Sequence, residues 1–178
     1  MRALVRLGMG LALLLAVLVA VAFALPRHVV VARSIDINAP EGDVFPYVNS
    51  LEKFLTWSPW AAIDPATVYQ FTGPEAGKGA QMAWKSDNPQ VGSGSQEIVD
   101  SKPNSFVEVA LDFDDRGKAR STYTLAPQGA GTKVTWGFDT DTGNNPIERW
   151  MGLMTGRWMA KDFEKGLERL KKRVESSP

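Results

Sequence analysis

Residues 105–139 read SFVEVALDFDDRGKARSTYTLAPQGAGTKVTWGFD, and the alternation in this stretch decides the fold. Across Ser105–Phe113, Val107, Val109, Leu111 and Phe113 fall on one side of an extended chain, with Glu108 and Asp112 on the other. Successive side chains of a strand point to opposite faces, so the segment is a strand with one dry and one wet face. Asp114-Asp115-Arg116-Gly117 supplies the turn chemistry of a hairpin, and Lys118–Leu125 is the next strand, with Tyr123 on the phase of Leu125. After the loop Pro127–Gly131, Thr132–Asp139 sets Val134, Trp136 and Phe138 against Lys133 and Thr135. Connections this short imply sequential antiparallel pairing, and a sheet patterned this way needs a cover on one face only.

The cover follows in the chain. Pro146 opens a helical pattern reaching about Val174, in which Ile147, Trp150, Met151, Met154, Trp158, Met159, Phe163, Leu167, Leu170 and Val174 recur at three- and four-residue steps. Gly152 and Gly156 are expected to bend or break its first half, each weakening a helix by about 1 kcal/mol relative to Ala. Upstream, Val29–Ile37 reads as a strand and Asn38-Ala39-Pro40-Glu41 as a helix start, with Asn38 as N-cap. Short helices are expected over Pro40–Val48, limited by Pro46, and over Ser50–Phe54. The turn Trp57-Ser58-Pro59-Trp60 brings two indoles close together. Val68–Thr72, Ala80–Ser86 and Ser95–Ser101 are further strands, each closed by Gly, Pro or Asn. The order is strand, one or two short helices, six strands, long helix: an α+β fold with a curved antiparallel sheet of about seven strands on a long C-terminal helix.

Residues 1–26 stand apart from the domain expected over 29–174. Arg2 and Arg6 precede an apolar or glycine run of 19 residues, Leu7–Leu25, which Pro26 ends. A helix of that length reaches about 30 Å, enough to cross a hydrocarbon core. The run is longer than the core of a secretory signal and favours an uncleaved signal anchor, while Ala22-Phe23-Ala24 offers the small-x-small site of a cleaved signal peptide. The N-terminal arginines place the domain on the extracytoplasmic side of a single-pass membrane protein. Of the 20 Lys and Arg, removing Arg2 and Arg6 leaves 18 after Pro26, against 20 Asp and Glu. This near-neutral balance speaks against a nucleic-acid partner, which calls for a gathered basic excess.

Several stretches, in order, resemble the START-like helix-grip superfamily, also described as SRPBCC or polyketide cyclase/dehydrase and lipid transport. They are Arg33–Pro40, Val44-Phe45, Trp57–Trp60 with Asp64-Pro65, Phe71–Pro74 with Gly77 and Gly79, Gly131–Trp136, and Lys161–Leu167. Members of similar sequence also carry an apolar N-terminal helix ending as Leu25-Pro26-Arg27 does here. The resemblance implies a helix-grip fold with a cavity between sheet and helix that takes a hydrophobic small molecule or lipid. It implies no single reaction.

The chemistry-bearing residues are sparse. There is no cysteine, so thiol nucleophiles, disulfides and thiolate metal sites are excluded, and the one histidine, His28, adjoins the membrane segment. Asp112-x-Asp114-Asp115 sits at a hairpin tip, where Asp serves the turn. Asp139-x-Asp141-x-Gly143 opens like a calcium loop but has Trp150 at its twelfth position where Glu belongs. No metal or cofactor is expected. The six tryptophans and the methionines are the richer signal, because apolar pockets and adaptable methionine surfaces suit apolar ligands. The candidate ligand-binding residues are Trp57, Trp60, Trp84, Phe113, Tyr123, Trp136, Trp150, Met154 and Trp158. Trp150–Met159 is expected to gate the cavity or dip into the membrane. The leading expectation is a membrane-tethered carrier or sensor of a hydrophobic small molecule or lipid. The alternatives are a cyclase- or dehydratase-like enzyme using one buried Asp, Glu or Tyr, and a membrane protein-interaction module.

Overall fold

The computed structural model describes residues 2–176. Its elements run α1 (Arg2–Ala24), β1 (His28–Ile37), α2 (Glu41–Val48), α3 (Leu51–Leu55), β2 (Val68–Thr72), β3 (Gln81–Lys85), β4 (Ser93–Lys102), β5 (Phe106–Asp112), a 3-10 turn over Asp114–Arg116, β6 (Lys118–Gln128), β7 (Gly131–Asp141) and α4 (Pro146–Glu175). The strands form one antiparallel sheet in the order β1-β7-β6-β5-β4-β3-β2. Five hairpin steps place β2 to β7 side by side, and β1 returns to pair with β7 from His28↔Asp141 to Ile37↔Thr132. This is the helix-grip architecture, with α4 packed across the sheet.

The alternation in sequence becomes the inner face of the sheet. Val107, Val109, Tyr123, Leu125, Val134, Trp136 and Phe138 are all buried, and Ala160, Phe163, Leu167, Leu170 and Val174 of α4 close over them. Two glycines set how close α4 comes. A Cβ on Gly166 would stand 2.8 Å from Cζ3 of Trp136, and one on Gly152 would stand 2.7 Å from Cγ2 of Val29. Gly152 and Gly156 do not break the helix: α4 is continuous over 30 residues. Both glycines turn toward Val29 and Val31 of β1, so close packing on the strand offsets their low helix propensity. A second difference lies at α2, whose N-cap is Pro40 rather than Asn38. The Asn38 backbone N–H instead donates to the Glu175 carboxylate at 2.8 Å, tying the end of β1 to the last turn of α4. The Ser50 hydroxyl caps α3 by accepting from the Lys53 N–H.

The apolar helix is built into the domain's edge. Leu4–Ala24 is long and apolar enough to cross a membrane, and nearly all of it is exposed. At its C-terminal end the half-turn carbonyls meet Arg149, whose Nη1 donates to the carbonyls of Phe23 at 3.1 Å and Ala22 at 3.4 Å. The same guanidinium donates to the Gly143 carbonyl and the Asn144 side chain, and it lies 5.3 Å from the Phe23 ring centroid. A cation there satisfies helix-end carbonyls and faces the negative end of the helix dipole. Arg149 is accordingly buried despite its charge.

Candidate functional site

The strand directions determine where a site opens. With every pair antiparallel, the starts of β1, β2, β4 and β6 and the ends of β3, β5 and β7 share one end of the sheet: His28 faces Asp141, Val68 faces Lys85, Lys85 faces Ser93 and Asp112 faces Lys118. The junction with α1, the loops 86–92 and 113–117, and the N-terminus of α4 all gather there. Helices α2 and α3 close part of the space under the sheet, leaving a cavity of about 190 Å³ between sheet and α4. A cavity of roughly 150 Å³ lined by Leu, Ile and Phe holds a benzene ring. This one has room for a ring or a short acyl segment without rearrangement.

Its walls are aromatic. Trp136 lies flat on Phe163, with ring centroids 3.9 Å apart, and Trp60, Tyr123 and Phe54 meet Trp136 at 5.8, 5.5 and 6.2 Å. Trp84 meets Phe113 edge-on at 5.9 Å, and Met82, Leu111 and Val91 line the same cavity. The polar atoms are few. The Trp136 indole N–H donates to the Ser121 hydroxyl at 2.8 Å, which in turn donates to the Gly137 carbonyl at 3.1 Å. Gln96 is buried beside the Met82 sulfur. Burial pushes the Tyr123 phenol well above its ordinary value, opposed only in part by its contact with Ser121. Of the lining residues only Gln90 and Arg116 are exposed, which puts the mouth between loops 86–92 and 113–117. No Asp, Glu, His or Lys lines the cavity among the described residues.

Of the nine residues singled out from the sequence, Trp60, Trp84, Phe113, Tyr123 and Trp136 line this cavity. Trp57 does not: it is wholly buried behind Trp136 and Tyr123, and its indole N–H is spent on the Tyr47 carbonyl at 3.0 Å. Trp150, Met154 and Trp158 lie outside as well, exposed by 37, 55 and 62% on the first half of α4. The lining further includes Phe54, Tyr69, Met82, Gln96, Leu111, Phe138 and Met159, which sequence reasoning did not select. Phe138 and Gln96 were accessible to it: one shares the phase of Trp136, and the other is an inward-facing polar residue on the phase of Ile98. The calcium-like spacing is engaged otherwise. The Asp139 carboxylate meets Nδ1 of His28 at 2.9 Å, and Asp141 accepts from Nε of Arg27 at 2.6 Å and the Gly143 N–H at 2.8 Å.

A second depression of about 380 Å³ lies on the opposite face of the sheet, walled by Gln70, Thr72, Gln81, Ser95, Glu97 and Lys118. It is a trough of mixed polar and apolar lining, Ala83 and Ala110 included, open to solvent.

Solved structures share the fold at low sequence identity. A protein from Mesorhizobium loti aligns with a TM-score of 0.59 at 15% identity, covering 84% of this chain and 98% of its own. A protein from Arthrobacter aurescens aligns at 0.60 and 14%, covering 84% and 87%. The protein Ara h 8.0201 aligns at 0.59 and 12%, covering 84% and 99%. No curated protein matches the chain. The family described as polyketide cyclase / dehydrase and lipid transport matches residues 28–175, the whole of the sheet and of α4, and the chain belongs to that family.

Proposed function

We propose that the chain binds a hydrophobic small molecule or lipid in the sheet–helix cavity, as a carrier or sensor that α1 tethers to a membrane with the domain outside the cytoplasm. The observation that carries this reading is the cavity wall: stacked aromatic and aliphatic side chains, a few uncharged polar groups, and a single cation, Arg116, at the rim. Such a wall favours an apolar body by removing its surface from water, and the isolated polar groups orient it. Trp60, Trp84, Phe113, Tyr123 and Trp136 are the proposed contacts, with Gln90 and Arg116 at the entrance. An anchored receptor meets a membrane-dissolved ligand at high effective concentration.

The cyclase or dehydratase alternative calls for a cavity group that exchanges protons near neutral pH. Tyr123 is the phenol placed deepest for that role, and its burial moves it away from that range. Native mass spectrometry of the full chain released from membranes tests the proposal. One apolar molecule per chain is the expected result, and a chain that emerges empty and stays empty with added fatty acids, quinones and phospholipids would reject it.

A further inference from the structure

The outer face of α4 changes character halfway along. Ile147, Met151, Met154 and Trp158, spaced i, i+4, i+7 and i+11, form one stripe turned away from the sheet, exposed by 69, 59, 55 and 62%. One turn further the same stripe becomes Lys161 and Lys165, then Arg169 and Lys172, all exposed. Contiguous apolar surface of this kind is uncommon on a monomer without a partner.

We infer that the first three turns of α4 are an interfacial membrane helix, lying in the headgroup region of the bilayer that α1 crosses. Three observations select a lipid surface as the occupant. First, the stripe is continuous with α1: the Trp150 indole N–H donates to the Leu18 carbonyl at 3.1 Å, and Arg149 clasps the carbonyls of Ala22 and Phe23. Leu18 lies six residues before the end of α1, about 9 Å along its axis. An apolar medium that covers α1 to its last turn therefore reaches α4 at Trp150. Second, Trp158 is exposed on the same stripe, and an indole, with its apolar body and one N–H, is a side chain that concentrates at membrane–water boundaries. Third, the stripe ends in the exposed cations Lys161 and Lys165, which attract the phosphates of anionic headgroups. The helix thus has the apolar face and flanking cations of an amphipathic helix resting in an interface.

The geometry has a consequence for the cavity. Its mouth, between Gln90 and Arg116, is at the end of the sheet where α1 and the start of α4 gather. Because α1 joins the domain at that end, the mouth is on the side nearest the bilayer, so a ligand is exchanged with the membrane rather than with bulk water. This consequence rests on the binding reading; the docking of α4 rests on the tether alone.

The chain has no cysteine, so single thiols report cleanly. Full-length Met151→Cys, Met154→Cys, Trp158→Cys and Lys165→Cys variants, with Leu14→Cys on α1, would be reconstituted in vesicles of phosphatidylcholine and phosphatidylglycerol. Each would be reacted with a membrane-impermeant maleimide. The expected result is labelling at 151, 154 and 158 slowed by about tenfold or more relative to 165, the equivalent of burying one large apolar side chain, and independent of the protein-to-lipid ratio. Protection at 14 with labelling at 151, 154 and 158 as fast as at 165 would overturn the inference and leave the tether standing. Fast labelling at 14 as well would overturn both. Protection that disappears on dilution with lipid would assign the stripe to a second copy of the chain and overturn the inference.

Discussion

Replacing Ser121 with alanine isolates the polar contact deepest in the cavity wall. The Ser121 hydroxyl accepts from the indole N–H of Trp136, itself only 2% exposed, and passes a hydrogen bond to the Gly137 carbonyl. Ser121→Ala leaves the indole N–H without an acceptor in a dry site, a cost of about 1–3 kcal/mol. The Gly137 carbonyl has a second lone pair and loses less. With a urea dependence of about 1–3 kcal/mol per molar, the unfolding midpoint should fall by roughly 1 M with an unchanged slope. Ser121→Thr keeps the hydroxyl and places its methyl against the cavity, where there is room, so it should remain within about 0.5 kcal/mol of wild type. Trp136→Phe removes the donor, and adding Ser121→Ala to it should cost far less than in the wild type. The cycle isolates the pair from the cost of shrinking the indole. Equal effects of Ser121→Ala in the two backgrounds would refute the assignment.

Arg149→Leu removes the clasp on α1 while leaving the core untouched. Hydrogen bonds to a charged group are worth about 1.5–3 kcal/mol, so amide exchange in the 20–27 segment should accelerate by roughly tenfold to a hundredfold. Unchanged exchange there would show the clasp to be idle. Arg27, first by its hydrogen bond, and then the Gly143 N–H hold the Asp141 carboxyl at about 2, below its ordinary 3.8. A carboxyl depressed in the folded state stabilises above its unfolded value and loses that contribution as the pH falls through its folded value. Asp141→Asn should therefore lower Tm at pH 7, with the gap to wild type narrowing between pH 4 and 2; a gap constant with pH would contradict the ion pair. Gly152→Val drives a branched side chain into Val29, and the overpacking should destabilise by about 1–3 kcal/mol in urea unfolding. A neutral Gly152→Val would mean that α4 and β1 are less tightly apposed.

Much of this is legible in the sequence, for an identifiable reason. Period-two alternation at Val107–Phe113 and Val134–Phe138 encodes one buried face, and the three- and four-residue recurrence after Pro146 encodes the helix that covers it. Both signals are local. What was illegible depends on contacts between distant segments. Trp57 and Trp60 stand three residues apart in one turn, yet one ends in the core and the other in the cavity wall, because α3 and Tyr47 fix the orientation of the turn. Gly152 and Gly156 look like helix breakers until Val29 and Val31 are seen against them. Tyr69 and Met82 come from five-residue strands whose register is set by their neighbours across the sheet. Trp150, Met154 and Trp158 recur at four-residue steps as core residues do, and only their exposure in the folded domain shows that they face outward.

Occupancy of the cavity is the most direct test of the account. Leu111 is a half-buried wall residue on β5 beside Gln96, and Leu111→Trp fills the space a ligand would take. Wild type and Leu111→Trp, both full length and both shown folded by circular dichroism, would be purified from the same membranes and compared by native mass spectrometry. The account predicts one apolar molecule per wild-type chain and none on the filled variant. Equal loads on the two chains, or no load on either after exposure to membrane lipid, would contradict it.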